Sequence, residues 1–262
     1  MATERKVALI TGASSGIGEE LARIHASRGG DLVITARRQK ELEQLKADLE
    51  SRHGCKVHVI AKDLAEADAP QAIYSDVSSR GIQIDYLVNN AGFGYHGLFH
   101  QQEWATNEAM INVNVLALAA LTRLFLPEMV ARRSGRILNV ASMAGFLPGP
   151  LQAVYYASKA FVISFSEAIA NELSGTGVTV TALCPGPVET EFARRAGTQD
   201  VQGFTRMASA PEVARAGYDA MLQGRTMVVP GFLNKLTIHV LLRLAPRSLA
   251  TRISRSMMER RM

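Results

Sequence analysis

From residue 7 to about residue 229, short apolar runs rich in β-branched residues alternate with longer segments of helical period, and no other feature constrains the fold as strongly. The runs are Val7–Thr11, Leu32–Thr35, Val57–Ile60, Tyr86–Val88, Arg136–Val140, Val178–Leu183 and Met227–Val229. Helical patterns separate them, at Gly16–Ser27, Gln39–Arg52, Pro70–Ser79, Trp104–Arg132, Val154–Ser174 and Ala210–Gln223. A strand apolar along its whole length leaves no face for solvent, so helices must cover both sides of the sheet. Repeated strand–helix–strand units imply parallel strands joined by right-handed crossovers. The expected architecture is therefore α/β: a doubly wound, seven-stranded parallel sheet with helices on both faces. No Pro/Gly/Ser linker or internal repeat divides the pattern.

Such sheets bind ligands beyond the carboxyl ends of their strands, where the strand order reverses. The unusual residues of this chain collect at those ends. After the first run comes Thr11-Gly12-Ala13-Ser14-Ser15-Gly16-Ile17-Gly18, which leads directly into a helix. Glycines permit the tight turn and a close approach of phosphate, while the helix N-terminus offers free N–H groups. The second run ends in Ala36-Arg37-Arg38 and has no carboxylate where a ribose-binding acid is usual. Guanidinium groups there suit a 2′-phosphate, which predicts NADP(H) over NAD(H). Asp63-Leu64, after the third run, is placed to meet the adenine. Asn89-Asn90-Ala91-Gly92, after the fourth, either ties strand ends together or shapes the site, and its small Ala91 and Gly92 leave room for the ribose.

Tyr155 and Lys159 stand four apart on a helical segment and share one face. A phenol titrates near pH 10, and a neighbouring ammonium favours its ionised form, so the pair reads as an acid/base tuned toward working pH. Tyr156 has Ala160 at the corresponding position, which leaves the role to Tyr155. Ser142 follows the fifth run, where its hydroxyl can bond a substrate oxygen. Asn114 is a polar residue in an apolar helical stretch and needs partners, for which a water leading to Lys159 would serve.

TGASSGIG, NNAG, Asn114, Ser142, YYASK and Pro185-Gly186-Pro187-Val188-Glu189-Thr190, in this order and spacing, resemble the motifs of the short-chain dehydrogenase/reductase family, in its branch with a single Rossmann-type domain. The resemblance covers about residues 5–230. It implies transfer of hydride between NADP(H) and a carbonyl or secondary alcohol. Tyr155 would be the proton donor or acceptor, Lys159 would bind the nicotinamide ribose and depress the tyrosine pKa, and Ser142 would orient the substrate oxygen. Asn114 would hold a relay water. Pro185, Gly186 and Val188 would line the cofactor, with Thr190 at the carboxamide. NADP-preferring members often carry a basic residue inside the glycine motif; Ser14-Ser15 supplies none, so the preference rests on Arg37 and Arg38. Fatty-acyl and hydroxysteroid ketoreductases are the members it most resembles.

Met143–Val154, with Phe146, Leu147 and Leu151, and Glu191–Ala210, with Arg194, Arg195 and Arg206, are the segments expected to shape the substrate pocket. The first favours a hydrophobic ketone or 3-oxoacyl-type substrate, unless its apolar residues only pack beneath the loop; the charges of the second read as a solvated helix. The net charge of +5 does not point to nucleic acid. Residues 231–262 carry seven basic residues against Glu259, a net of +6, which leaves the rest of the chain at −1. The expected organisation is a catalytic unit over 1–230 and a basic amphipathic extension over 231–262. Pro246 divides that extension into two helices, which pack on the domain, on a partner subunit or on an anionic membrane surface. No window reads as long and apolar enough to span a bilayer, and the N-terminus shows no secretory pattern, so a cytoplasmic protein is expected. Cys55 and Cys184 lack metal spacing, as do the six histidines, so no metal site is expected. The family resemblance suggests a homodimer or homotetramer through the 104–132 and 154–174 helices. A cofactor sensor without turnover is the rival reading; an epimerase or dehydratase would need a larger substrate domain.

Overall fold

The computed structural model describes residues 5–198, 200–201, 207–238 and 246–259. In chain order its elements are β1 Val7–Thr11, α1 Gly16–Ser27, β2 Asp31–Ala36, α2 Gln39–His53, β3 Val57–Ala61, α3 Ala69–Ser79, β4 Tyr86–Asn89 and α4 Trp104–Ile111. A π-helical turn, Asn112–Ala117, joins α4 to α5 Leu118–Ala131. There follow β5 Gly135–Val140, α6 Ala153–Glu172, β6 Val178–Leu183, β7 Val188–Glu189, α7 Glu191–Ala196, β8 Ala208–Ser209, α8 Ala210–Leu222, β9 Met227–Val228, α9 Phe232–Leu236 and α10 Arg247–Met258.

Seven strands form one parallel sheet in the order β3-β2-β1-β4-β5-β6-β9, the doubly wound arrangement expected from the alternation. Successive residues of each strand feed opposite faces. Ala8 and Ile10 join a core built with α1, α2 and α8, whereas Leu9 joins one built with α3, α5 and α6. The order reverses between β1 and β4, so a crevice opens where those two strands end. A separate two-stranded pair, β7–β8, was not legible in the sequence; two residues a side carry no periodicity to read.

Two sequence expectations need correction. The continuous helix Trp104–Ala131 has 28 residues and a window of mean hydropathy 1.8, long and apolar enough by composition to cross a bilayer. Its apolarity has a local cause, because Leu121, Phe125 and Met129 pack against the sheet. The same helix is not uniformly α: Asn114 sits within its π-helical turn, a distortion common at functional sites. Pro246 caps α10. Arg206, His239, Arg243, Arg260 and Arg261 lie outside the described residues.

Candidate active site

A single cavity of about 690 Å³ runs from the β1–α1 turn across the ends of β4 and β5 to the start of α6. At its first end the backbone is shaped by glycine. Gly12 and Gly16 have φ of +66° and +59°, which a side chain would strain. A Cβ on Gly12 would lie 2.9 Å from Ala91 Cα, and one on Gly16 would lie 2.9 Å from Thr190 Cγ2. Ser14, Ser15 and Ile17 line the same end, and Ser15 caps α1 without a side-chain hydrogen bond of its own. Gly18 does not line the cavity. A Cβ there would come within 2.4 Å of Asn90 Nδ2 and of Gly12 O, so this glycine serves helix-to-strand packing.

Asn90 spends its amide on architecture, donating to the carbonyls of Thr11 at 2.9 Å and Gly12 at 3.2 Å. Thr11 Oγ1 in turn accepts from the Asn90 and Ala91 N–H groups. Of the two readings open for this motif, the side chain of Asn90 follows the strand-tying one. Ala91 and Gly92 line the cavity, and a Cβ on Gly92 would sit 3.1 Å from Asn114 Oδ1 and 3.3 Å from Lys159 Nζ. Asp63 accepts from Ala65 N at 3.0 Å and faces Arg37 across 3.8 Å, with Leu64 beside it on the cavity wall.

The two arginines behave differently. The Arg37 side chain is 61% exposed at the cavity rim. Arg38 folds back to donate to Ser14 O at 3.1 Å and Ser14 Oγ at 3.2 Å, and pairs with Glu191 at 3.2 Å. It thereby fastens the glycine turn to α7, a tie between positions 153 residues apart in the chain. Arg194 and Arg195 also pair with Glu191, as a solvated charged helix does.

Ser142, Tyr155 and Lys159 converge midway along the cavity. Ser142 caps a short 3₁₀ turn, Met143–Phe146, accepting from Ala144 N at 3.1 Å. Lys159 Nζ donates to Val140 O at 2.7 Å and lies 5.9 Å from the centre of the Tyr155 ring. The expectation that the ammonium lowers the phenol's pKa is not met. Burial pushes Tyr155 well above the usual phenol range, with the Ser142 hydroxyl opposing it, and the same burial lowers Lys159 to about 8. Both charged forms lose solvation in this apolar setting.

Asn114 meets three protein groups: Oδ1 accepts from Phe93 N at 3.1 Å, and Nδ2 donates to Phe93 O and Ser158 Oγ, both at 3.0 Å. It is buried behind the cavity wall and locks the loop after β4 to α6. Pro185, Gly186, Val188 and Thr190 line the wall after β6, and Thr190 caps α7 by accepting from Phe192 N at 3.2 Å.

Sequence reasoning missed the wall opposite Tyr155. The Phe192 ring lies 5.3 Å from that of Tyr155, tilted at 48° to it. Ala250, Ser254 and Met258, four residues apart on α10, turn inward, and Ile253 and Met257 join them on the cavity wall. The helix end is held by His96 Nε2, 2.7 Å from Met258 O. From the expected loop, Met143, Ala144 and Leu147 reach the cavity, whereas Phe146 and Leu151 pack beneath it. The 250/254/258 spacing marks a buried face, but nothing local states which surface it covers.

The residues present suit a dinucleotide: a glycine cradle that side chains would fill, a helix N-terminus above it, and a continuous cleft leading to titratable groups. Among known proteins, residues 6–200 match the family described as short chain dehydrogenase. The very-long-chain 3-oxoacyl-CoA reductase of Mus musculus is 36% identical over 191 residues, 71% of this chain and 61% of that protein. The chain spans 61–63% of the length of several of the curated relatives it matches. A short-chain dehydrogenase from Sphingobium yanoikuyae, solved in complex with NADPH, superimposes with a TM-score of 0.82 at 33% identity, covering 91% of this chain and 90% of that one. A bulky-bulky ketone specific alcohol dehydrogenase from Comamonas testosteroni gives 0.79 at 28% identity, with 92% and 90% covered.

Proposed function

We propose, for a chain that belongs to the short chain dehydrogenase family, that it reduces the carbonyl of a hydrophobic ketone or 3-oxoacyl-type substrate with NADPH, Tyr155 acting as the acid. One observation carries this reading: a single cavity joins the glycine turn to Ser142, Tyr155 and Lys159. The nicotinamide cofactor supplies hydride when bound. Ser142 Oγ holds the substrate oxygen beside Tyr155. The Tyr155 hydroxyl donates its proton to that oxygen, and burial keeps the phenol protonated for the step. Lys159, fixed at Val140 O, presents its ammonium to the ribose side of the cavity, where Gly92 leaves space. Asn114 positions Ser158 and the Phe93 loop around them. Within the extension over 231–262, α10 serves the catalytic unit of 1–230 as a cover on its substrate side. The relatives that are named as a 3-oxoacyl-CoA reductase and a bulky-ketone dehydrogenase support the substrate class. The test is NADPH oxidation against ketones, aldehydes and 3-oxoacyl thioesters; failure of every carbonyl to turn over, with cofactor bound, would leave a cofactor sensor.

The preference for NADPH rests on Arg37. Its side chain is largely exposed at the end of β2, facing Asp63 across 3.8 Å, whereas Arg38 is committed to Ser14 and Glu191. Arg37→Ala is expected to raise KM for NADPH roughly tenfold or more and to leave KM for NADH nearly unchanged, in line with loss of one charge-assisted contact. Equal changes for both cofactors in steady-state kinetics would remove Arg37 from the phosphate site.

A homo-oligomer, dimeric or tetrameric, is supported by the outer face of the 104–131 and α6 helices, where Trp104, Leu116 and Phe161 stand exposed. Trp104→Glu combined with Phe161→Glu is expected to shift the sedimentation coefficient to that of a monomer. An unchanged value would place the interface elsewhere.

A further inference from the structure

The extension packs on the domain through one face of α10 and leaves a second apolar face uncovered. Ala250, Ser254 and Met258 turn inward, whereas Leu249, Ile253 and Met257, each one residue earlier, form a parallel stripe that stays exposed. On α9, Phe232 is 79% and Leu233 63% exposed, with Leu236 exposed beside them. These two helices hold only 5 and 12 residues, yet they carry six of the thirteen large apolar side chains exposed among the described residues. The His96 contact to Met258 O sets a loop with three more, Tyr95, Leu98 and Phe99, against the end of α10. Single exposed apolar residues are ordinary, but a concentration of this kind marks an interaction surface.

The charge beside this surface is of one sign. Lys235, Arg247, Arg252 and Arg255 are exposed on the same two helices, and among the described residues only Arg255 meets an acid, Glu259 at 3.1 Å. Residues 231–262 net +6, against −1 for the remainder of the chain. Exposed aliphatic and aromatic side chains flanked by unpaired cations match a layer that offers acyl chains beneath anionic headgroups. A second copy of the chain matches them poorly, because a two-fold contact would set these cations against themselves.

We propose that α9 and α10 dock the protein on an anionic membrane surface, with Phe232, Leu233, Leu236 and Leu249 entering the acyl boundary and Lys235, Arg247 and Arg252 held at the headgroups. Ile253 and Met257 line the cavity and are also about half exposed, so they form its lip, and docking turns that lip toward the lipid. An apolar molecule dissolved in the bilayer then reaches the cavity without crossing water. The extension divides its work by face: the inner one closes the cavity and the outer one holds the membrane. The proposal stands apart from the reductase reading, since docking needs neither cofactor nor turnover.

The test is cosedimentation of the full chain with vesicles of mixed phosphatidylglycerol and phosphatidylcholine, and with vesicles of phosphatidylcholine alone. Binding is expected only to the anionic vesicles, and it should weaken as salt rises and screens the headgroup charge. Lys235→Gln, Arg247→Gln and Arg252→Gln together should lower the partition constant by about a hundredfold, roughly fivefold for each charge near the surface. Arg247→Lys with Arg252→Lys keeps the charge and should keep the binding. Phe232→Ser with Leu233→Ser should lower the constant by at least about tenfold and leave its salt dependence in place. No binding to anionic vesicles, equal binding to neutral ones, or a glutamine variant that binds like the wild type would overturn the proposal. So would full binding by Phe232→Ser with Leu233→Ser, which would assign the attraction to charge alone. A fall in the sedimentation coefficient of that serine variant, with no vesicle binding by the wild type, would give the face to a second copy instead.

Discussion

Tyr155→Phe is expected to lower kcat/KM for carbonyl reduction by about a thousandfold, the range over which a positioned general acid acts, while NADPH binding stays within a factor of a few. The substitution deletes one oxygen. The ring keeps its contacts to Phe192 at 5.3 Å and to Tyr156 at 6.1 Å, so no cavity opens and the fold has no reason to shift. What disappears is the proton. Burial holds the Tyr155 phenol in its neutral form at physiological pH, and no other hydroxyl beside Ser142 has a comparable position. A thousandfold loss corresponds to about 4 kcal/mol of transition-state stabilisation. Fluorescence titration with NADPH beside steady-state rates separates the two effects. A variant retaining more than a tenth of wild-type turnover would remove Tyr155 from the proton-transfer step.

The second large effect concerns Lys159, where activity and stability should move in opposite directions. The side chain is 4% exposed, and burial lowers its pKa to about 8 from an ordinary 10.5. Between those values the unfolded chain binds a proton that the native protein does not, so stability rises as pH rises from about 8 to 10.5. Below that window the full cost of the buried ammonium is present, about 3 kcal/mol from the size of the shift. Lys159→Met keeps the bulk and removes the charge, at the expense of stranding Val140 O, which costs roughly 1–2 kcal/mol. A net gain of about 1–2 kcal/mol at pH 7, or a few degrees in Tm, is therefore expected together with a loss of activity of at least about a hundredfold. The wild-type rate of reduction should decline above pH about 8 as Lys159 loses its proton. Thermal melts at pH 7 and a pH–rate profile test this directly. A destabilised Lys159→Met, or a profile flat to pH 10, would show that the ammonium is better solvated than its surroundings imply.

Much of the fold was legible because its determinants are local. The strand runs and helix patterns were each recovered to within a residue or two at most ends, since a period of 2 or 3.6 is written into a dozen neighbouring residues. The glycines at 12 and 16 announced left-handed backbone that other residues avoid. Tyr155 and Lys159 share a face because they are one helical turn apart, whatever surrounds them. The two-residue strands β7 and β8 had no pattern to betray them. The helix over 104–131 showed its apolar composition but not the π-helical turn that carries Asn114.

The sequence by itself determined the parallel α/β architecture, the crevice at the ends of β1 and β4, and the group of residues gathered there, because each follows from periodicity, chain order or backbone conformation within a few residues. Tertiary structure alone decided the rest. It gave Arg38 to Ser14 and Glu191 and left Arg37 exposed, satisfied Asn114 with Phe93 and Ser158, and drew α10 across the cavity opposite Tyr155. It also reversed the expected tuning of the tyrosine–lysine pair. Each of these outcomes depends on which distant groups share a low-dielectric space, and desolvation and long-range contact have no signature in residue spacing.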